Sequence, residues 1–300
     1  MADPHRIGVD LGGTKIEAVL LDSDGQPLAR RRVPTEQERG YDHIIEITGR
    51  LTDELRAQAP ECGAVGVGTP GALSSRTGLM KNSNTLCLNG RDLPGDLARR
   101  IGLPVIVEND ANCFALAEAI NGAGQGARLV FGVIMGTGVG GGLVVDGRLW
   151  SGPQHIAGEW GHHSIDPNGP LCYCAQRGCV ETFISGPAVQ QQYEARTRTS
   201  ATTDAIVARA RAGEPAARAV FDRFLDRFGR SLANLISILD PDVVVLGGGL
   251  SNIDELYDEG RAAVARYVIN DELRTPIRRN VHGDSAGVFG AAFLSADVTA

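Results

Sequence analysis

The chain has no block of lysine or arginine, no apolar run approaching a membrane span, and no basic-then-apolar start. Each absence excludes something. Without clustered cations, and with a formal net charge of −7, nucleic acid and anionic membrane are poor candidate partners. A bilayer-spanning helix needs roughly 18 or more consecutive apolar residues, so no membrane span is expected. The opening "MADPHRIGVDLGG" lacks the pattern of a secretory signal, and a cytoplasmic location is expected. No low-complexity linker divides the 300 residues, which suffice for one large or two medium domains with a full core. Cysteine is sparse. Cys62, Cys87 and Cys113 stand alone and read as reduced thiols, whereas Cys172, Cys174 and Cys179 lie together. With no export signal, and with an odd number in the cluster, a metal site is favoured over a disulfide framework.

Glycine is what the chain has in excess: 39 residues, against about 7% in an average protein. The glycines cluster after apolar runs, which suits a backbone that approaches a ligand closely. Strand and helix signals alternate throughout, so the class is α/β. "YDHIIEITGRLTDELRAQA" places Ile44, Ile47, Leu51 and Leu55 on one helical face. Residues 216–239 predict a long amphipathic helix ended by Pro241.

The sequence also echoes itself at an offset of 124 residues: Gly8, Val9 and Gly12 fall on Gly132, Val133 and Gly136, and Val19–Asp22 on Leu143–Asp146. Any two glycine hairpins resemble each other to a degree. The alternative is a duplicated α/β lobe with a ligand in the cleft between the copies. The boundary is expected near "NGAGQGA", residues 121–127.

Three glycine turns follow apolar strands: "DLGGTK" (10–15), "MGTGVGGG" (135–142) and "LGGGLSN" (246–252). Such turns let backbone N–H groups converge on an anion. The first adds the Thr14 hydroxyl and the Lys15 cation, and Asp10 precedes it as a candidate magnesium-facing carboxylate. None is a Walker A loop. The seam "VENDANCFALAEA" (107–119) sets Asp110 between two asparagines where a strand gives way to a helix. Helix capping and a catalytic carboxylate are both consistent with it.

In order, "DLGGTK", "GTPG", "ENDAN", "GTGVGGG", "GEWGH", "CYCAQRGCVE" and "LGGGLS" resemble the ROK family (repressors, open reading frames, kinases), over about residues 6–294. "KNSN", "ETFISG", "LDPDVVVLGGGLSN" and "HGDSAGVFGAA" lean toward bacterial fructokinases of the manno(fructo)kinase type, with N-acetylglucosamine kinases next. The short "HSIDPNGPL" after His162 is closer to the family's glucokinases. The resemblance implies the duplicated actin-like, ribonuclease H-like ATPase fold with two lobes and a central cleft. One lobe would span 1–121, joined by a C-terminal helix 288–300, and the other 122–287. It also implies a homodimer.

For function it implies an ATP-dependent kinase acting on the 6-hydroxyl of a hexose, fructose first, with N-acetylglucosamine or glucose as the alternative acceptor. Magnesium and a structural zinc are the implied metals. Three thiolates and one histidine suit tetrahedral zinc. Spacing leaves His155, His162 and His163 open as the fourth ligand, and the family motif G-E-x-G-H falls on His162. The implied sugar contacts are Gly71, Asn84, Asn109, Asp110, Glu159, His162 and Glu181, with Asp110 as the base. His162 would bind zinc through one ring nitrogen and face the sugar with the other. Bland roles exist for several of these: a turn residue at Asn84, a solvated charge at Glu159, a first-turn helix acid at Glu181. The nucleotide-facing set is Asp10, Gly12, Gly13, Thr14, Lys15, Gly136, Thr137, Gly138, Gly247, Gly248 and Gly249. A sugar-responsive repressor of the same family carries a helix-turn-helix before the kinase-like part. With the first phosphate turn at residue 10, no such segment is expected here.

Overall fold

The computed structural model describes residues 5–295, which group into two compact units. One holds the described residues up to Gln125, Ser151–Ile156, and those from Val281 on; the other holds Gly126–Trp150 and Ala157–Asn280. Relative to the expected boundaries, residues 122–125, 151–156 and 281–287 therefore sit with the first unit. The expected C-terminal helix begins at Ala286, and its part beyond Ser295 lies outside the described residues.

In chain order the first unit forms β1 (Arg6–Leu11), β2 (Lys15–Leu21), β3 (Pro27–Pro34), α1 (Tyr41–Arg56), β4 (Val65–Thr69), a small ribbon of β5 (Ala72–Leu73) and β6 (Met80–Lys81), α2 (Leu93–Ile101), β7 (Val105–Asn109) and α3 (Asp110–Asn121). The second forms β8 (Leu129–Met135), β9 (Val139–Val145), β10 (Arg148–Leu149), α4 (Glu181–Ile184), α5 (Gly186–Thr197), α6 (Thr203–Arg211), α7 (Pro215–Leu239), β11 (Val243–Gly247), α8 (Glu259–Ala265) and β12 (Ile277–Arg279). α9 (Ala286–Leu294) returns to the first unit.

The two main sheets run β3-β2-β1-β4-β7 and β10-β9-β8-β11-β12. In each, three antiparallel strands are followed by two parallel ones. The same topology twice is the duplicated ribonuclease H-like fold of actin-like ATPases. The echo at offset 124 is correct on the first strand of each copy. On the return strand it slips by one residue: four residues separate the paired Leu11 and Ile16, but three separate the paired Met135 and Val139. A one-residue difference in turn length reverses which face each side chain meets.

The helices form where the apolar spacing places them. α1 buries Ile44, Ile47, Leu51 and Leu55, and α7 buries Phe221, Phe224, Leu225, Phe228, Leu232, Leu235 and Ile236. α7 stops at Asp240, whose left-handed φ of 45° precedes Pro241. Glycines let α9 lie directly on the first sheet. A Cβ on Gly66 would lie 1.7 Å from the Ala291 carbonyl oxygen, and one on Gly8 would lie 2.3 Å from that of Val288. Gly290 of α9 meets α3 as closely, with a Cβ position 1.7 Å from the Cys113 carbonyl oxygen. Cys113 is fully buried in this seam, where its small side chain faces Gly68. Burial, then the charge of Glu108, pushes its thiol well above the usual range, so it is an inert packing residue. No helix among the described residues is long and apolar enough to cross a membrane.

Candidate active site and metal centre

In the first unit, β1 delivers Asp10 and the turn Gly12–Thr14. The turn is closed by Gly12 N–H donating to the Lys15 carbonyl at 3.0 Å. Thr35, fully buried, grips it from the side: its hydroxyl donates to the Gly12 carbonyl at 2.6 Å and its N–H to the Thr14 carbonyl at 3.0 Å. Sequence reading missed Thr35, because nothing in "VPT" signals a contact 23 residues back along the chain.

Asp10 is paired across the sheet with Glu17 and with Gly68. Its carboxyl is pushed up to about 6, chiefly by burial, then by the charges of Asp110 and Glu17. Lys15 and Arg32 act in the opposite direction. Glu17, itself 1% exposed, is held by Arg30 and by Arg32, whose Nε donates at 2.8 Å. Asp10 and Asp110 therefore form a like-charged neighbourhood, which suits a divalent cation.

β4 and β7 end side by side, with Thr69 opposite Asn109. Beyond β4, Gly71 (φ 95°) leaves space that a Cβ would take from the Lys81 carbonyl at 2.7 Å, so the β5–β6 ribbon folds back over it. That places the exposed Asn84 and the buried Thr85 over Gly13: a Cβ there would meet Thr85 Oγ1 at 3.3 Å and Asn84 Oδ1 at 3.9 Å.

At the seam, the cap is Asn109. Its Oδ1 accepts from the Asn112 N–H at 2.7 Å, so its NH₂ is the end not used by the cap. Asp110 is the first residue of α3, exposed, with Oδ1 accepting from the Ala111 N–H at 2.9 Å. Glu108, which sequence reading passed over, steadies the cap. Its Oε1 accepts from the Asn109 N–H at 2.9 Å and the Asn112 NH₂ at 3.0 Å, and its Oε2 from the Ser151 hydroxyl at 3.1 Å.

In the second unit, Glu181 opens α4, and its Oε2 accepts from the Val139 N–H at 2.9 Å. The carboxylate thus ties the 136–138 turn to the cysteine loop that ends at Cys179. Trp160 anchors "GEWGH" by donating from Nε1 to the Gly140 carbonyl at 2.9 Å and stacking edge-on against Phe131. Glu159 is exposed beside it.

His162, Cys172, Cys174 and Cys179 converge, with all ligand atoms within 4.8 Å of one another. His155 and His163 are exposed and outside the group. Cys172 Sγ lies 3.5 Å from His162 Nδ1, and Cys174 Sγ 3.6 Å from Cys179 Sγ. Tetrahedral bonds of about 2.3 Å to sulfur and about 2.0 Å to nitrogen require separations of about 3.8 and 3.5 Å, so the donor set fits. His162 departs from expectation at its other nitrogen. Nε2 is 2.9 Å from the Tyr173 hydroxyl, and the two rings meet edge-on at 5.0 Å. The tyrosine between the two cysteines occupies the direction assigned to the sugar.

The second and third glycine turns share a cavity of about 600 Å³, into which Gly136, Thr137, Gly249, Leu250 and Asn252 face. Gly248 (φ 76°) is required by packing, since a Cβ would lie 2.4 Å from the Met135 carbonyl. At Gly136 and Gly249 a Cβ would meet nothing within 4 Å. Gly138 abuts Glu181, while Gly247, at the end of β11, is buried and lines no part of this cavity.

Comparison with known proteins accords with this geometry. The ROK family profile matches residues 6–298. The N-acetyl-D-glucosamine kinase of Yersinia pseudotuberculosis serotype O:1b (strain IP 31758) is 39% identical, covering 96% of this chain and 97% of its own. The crystal structure of the ROK hexokinase from Thermus thermophilus is 35% identical with a TM-score of 0.89, covering 98% of both chains. That of the ROK glucokinase from Streptomyces griseus, in complex with glucose and AMPPNP, is 32% identical with a TM-score of 0.76, covering 97% of this chain and 98% of its own. The chain belongs to the ROK family.

Proposed function

We propose that the protein is an ATP-dependent N-acetylglucosamine kinase that phosphorylates the sugar's 6-hydroxyl. The observation that carries the acceptor is the 39% identity, over nearly the whole chain, to a kinase named for that sugar. It outweighs the fructokinase-leaning motifs, which are short and lie partly in segments with packing duties such as α9. The reaction itself is supported by the Asp10–Asp110 neighbourhood and by the cavity between two glycine turns.

Phosphoryl transfer leaves positioning and charge stabilisation to the protein. Asp110 accepts the 6-hydroxyl proton as the new O–P bond forms and the bond from the γ-phosphorus to the departing ADP breaks. The Ala111 N–H holds its Oδ1, fixing the carboxylate's orientation at the head of α3. The Asn109 NH₂ donates to a sugar hydroxyl, and Gly71, Asn84, Glu159 and Glu181 are further proposed sugar contacts, whereas His162 is left to the metal because its Nε2 is taken by the Tyr173 hydroxyl. Thr14 and Lys15 address phosphate oxygens. Asp10 is the carboxylate for magnesium, which when bound neutralises phosphate charge.

The test is one panel: kcat/KM for N-acetylglucosamine, glucose, mannose and fructose with MgATP. N-acetylglucosamine is expected to lead fructose by about tenfold or more, because a site built to pair a polar substituent rejects analogues lacking it. Fructose as the best acceptor would sink this reading.

The Cys3His cluster is proposed to hold structural zinc through His162, Cys172, Cys174 and Cys179, since four protein ligands leave no open position. Elemental analysis is expected to find one zinc per chain. Cys174→Ser is expected to lower both zinc content and kcat/KM by about tenfold or more, because Glu181 and His162 share that loop. Full activity in zinc-free protein would show the cluster to be dispensable.

A further inference from the structure

The 600 Å³ cavity is of the size that encloses a small-molecule ligand. Its two open glycines need explaining. Neither Gly136 nor Gly249 has a positive φ, and an added Cβ would touch no protein atom. Backbone conformation and packing therefore tolerate alanine at both; what a side chain would fill is the cavity.

The rest of the lining says what the cavity takes. Among the described residues no Lys, Arg or His faces it, and it contains one carboxylate, Asp204. A polyanion extending into it would meet no cation and one like charge. Pro187 and Leu250 offer apolar surface, and Gln190 and Asn252 offer amides. This is a lining for a neutral, partly polar, partly flat group, as a nucleoside is.

Gln190 is committed to the wall: its Nε2 donates to Thr203 Oγ1 at 3.2 Å, and that hydroxyl donates to the Gly186 carbonyl at 3.1 Å. Asp204 is not committed. It is exposed in the first turn of α6, and no hydrogen bond or ion pair among the described residues engages it. The Thr202 hydroxyl already caps that helix, accepting from the Ala205 N–H at 3.3 Å.

Resting on the kinase reading, we propose that Asp204 selects the phosphoryl donor: its carboxylate accepts hydrogen bonds from the ribose hydroxyls of a nucleoside triphosphate seated in this cavity, and its charge disfavours an inorganic polyphosphate chain. A carboxylate is the natural partner, since both ribose hydroxyls donate and an ionised acid only accepts.

The experiment measures donor KM for ATP, 2′-deoxyATP and 3′-deoxyATP, and turnover with inorganic polyphosphate, in the wild type, Asp204→Ala and Asp204→Asn. For the wild type, at least one deoxy donor is expected to show a KM raised about 5- to 20-fold, the range for a partly exposed charge-assisted hydrogen bond. In Asp204→Ala the KM for ATP rises to that level, and the gap between ATP and the deoxy donor closes. The sugar KM stays within about twofold, which a general loss of folding would not produce. Asp204→Asn, keeping one acceptor oxygen, falls between. The proposal is overturned if the wild type does not discriminate, if the gap persists in both variants, or if polyphosphate serves as well as ATP. A wild type that phosphorylates no sugar with any donor refutes the kinase reading instead.

Discussion

Asp110→Ala is expected to lower kcat by about 10²–10⁴-fold, the range for a positioned general base. KM for the sugar is expected to change by less than about threefold. The structure sharpens the expectation because the cap of α3 belongs to Asn109, which accepts from the Asn112 N–H. Asp110 can be replaced without uncapping the helix, so thermal stability should fall by no more than about 1 kcal/mol. Asn109→Ala removes the cap itself and should cost more, about 1–2 kcal/mol. Steady-state kinetics beside thermal melts of both variants decide the matter. Asp110→Ala with wild-type kcat would remove Asp110 as the base.

Gly66→Ala is the largest expected effect on folding. The new Cβ would lie 1.7 Å from the Ala291 carbonyl oxygen, a distance no side-chain repacking relieves, because the Cβ position is fixed by the backbone of β4 and the oxygen belongs to the backbone of α9. Either β4 or α9 must shift, at a cost of about 3 kcal/mol or more, the upper end of overpacking. Activity should fall with stability, since β4 and α9 also frame Asp10: Gly287 of α9 has its Cβ position 3.3 Å from the Asp10 carboxyl carbon. Gly136→Ala is the control, because its Cβ would meet nothing. Urea midpoints with unchanged slope should separate the two. A loss below about 1 kcal/mol in Gly66→Ala would mean that α9 is not seated directly on β4.

These contrasts show what the chain discloses along its length and what it does not. Local pattern was enough for the class, for α1 and α7, and for the duplication, because period and turn chemistry act over a few residues. It was also enough to name the three glycine turns and the cysteine cluster. It did not say why each glycine is there. Gly8 and Gly66 make room for a helix that follows more than 200 residues later, while Gly136 and Gly249 face a cavity.

Nor did it divide the duties at "END", where Asn109 caps, Asp110 stands exposed and Glu108 braces Asn109 and Asn112. The choice of His162 over its neighbours came from a motif, but the hydroxyl at its second nitrogen came only from the folded loop. Asp204 carried no signal, since an aspartate in a first helical turn is ordinary in any sequence. By itself the sequence determined the family, the fold and the chemical groups available. Only the tertiary structure decided which groups meet, because strand order and register bring together residues whose separation along the chain contains no trace of the contact.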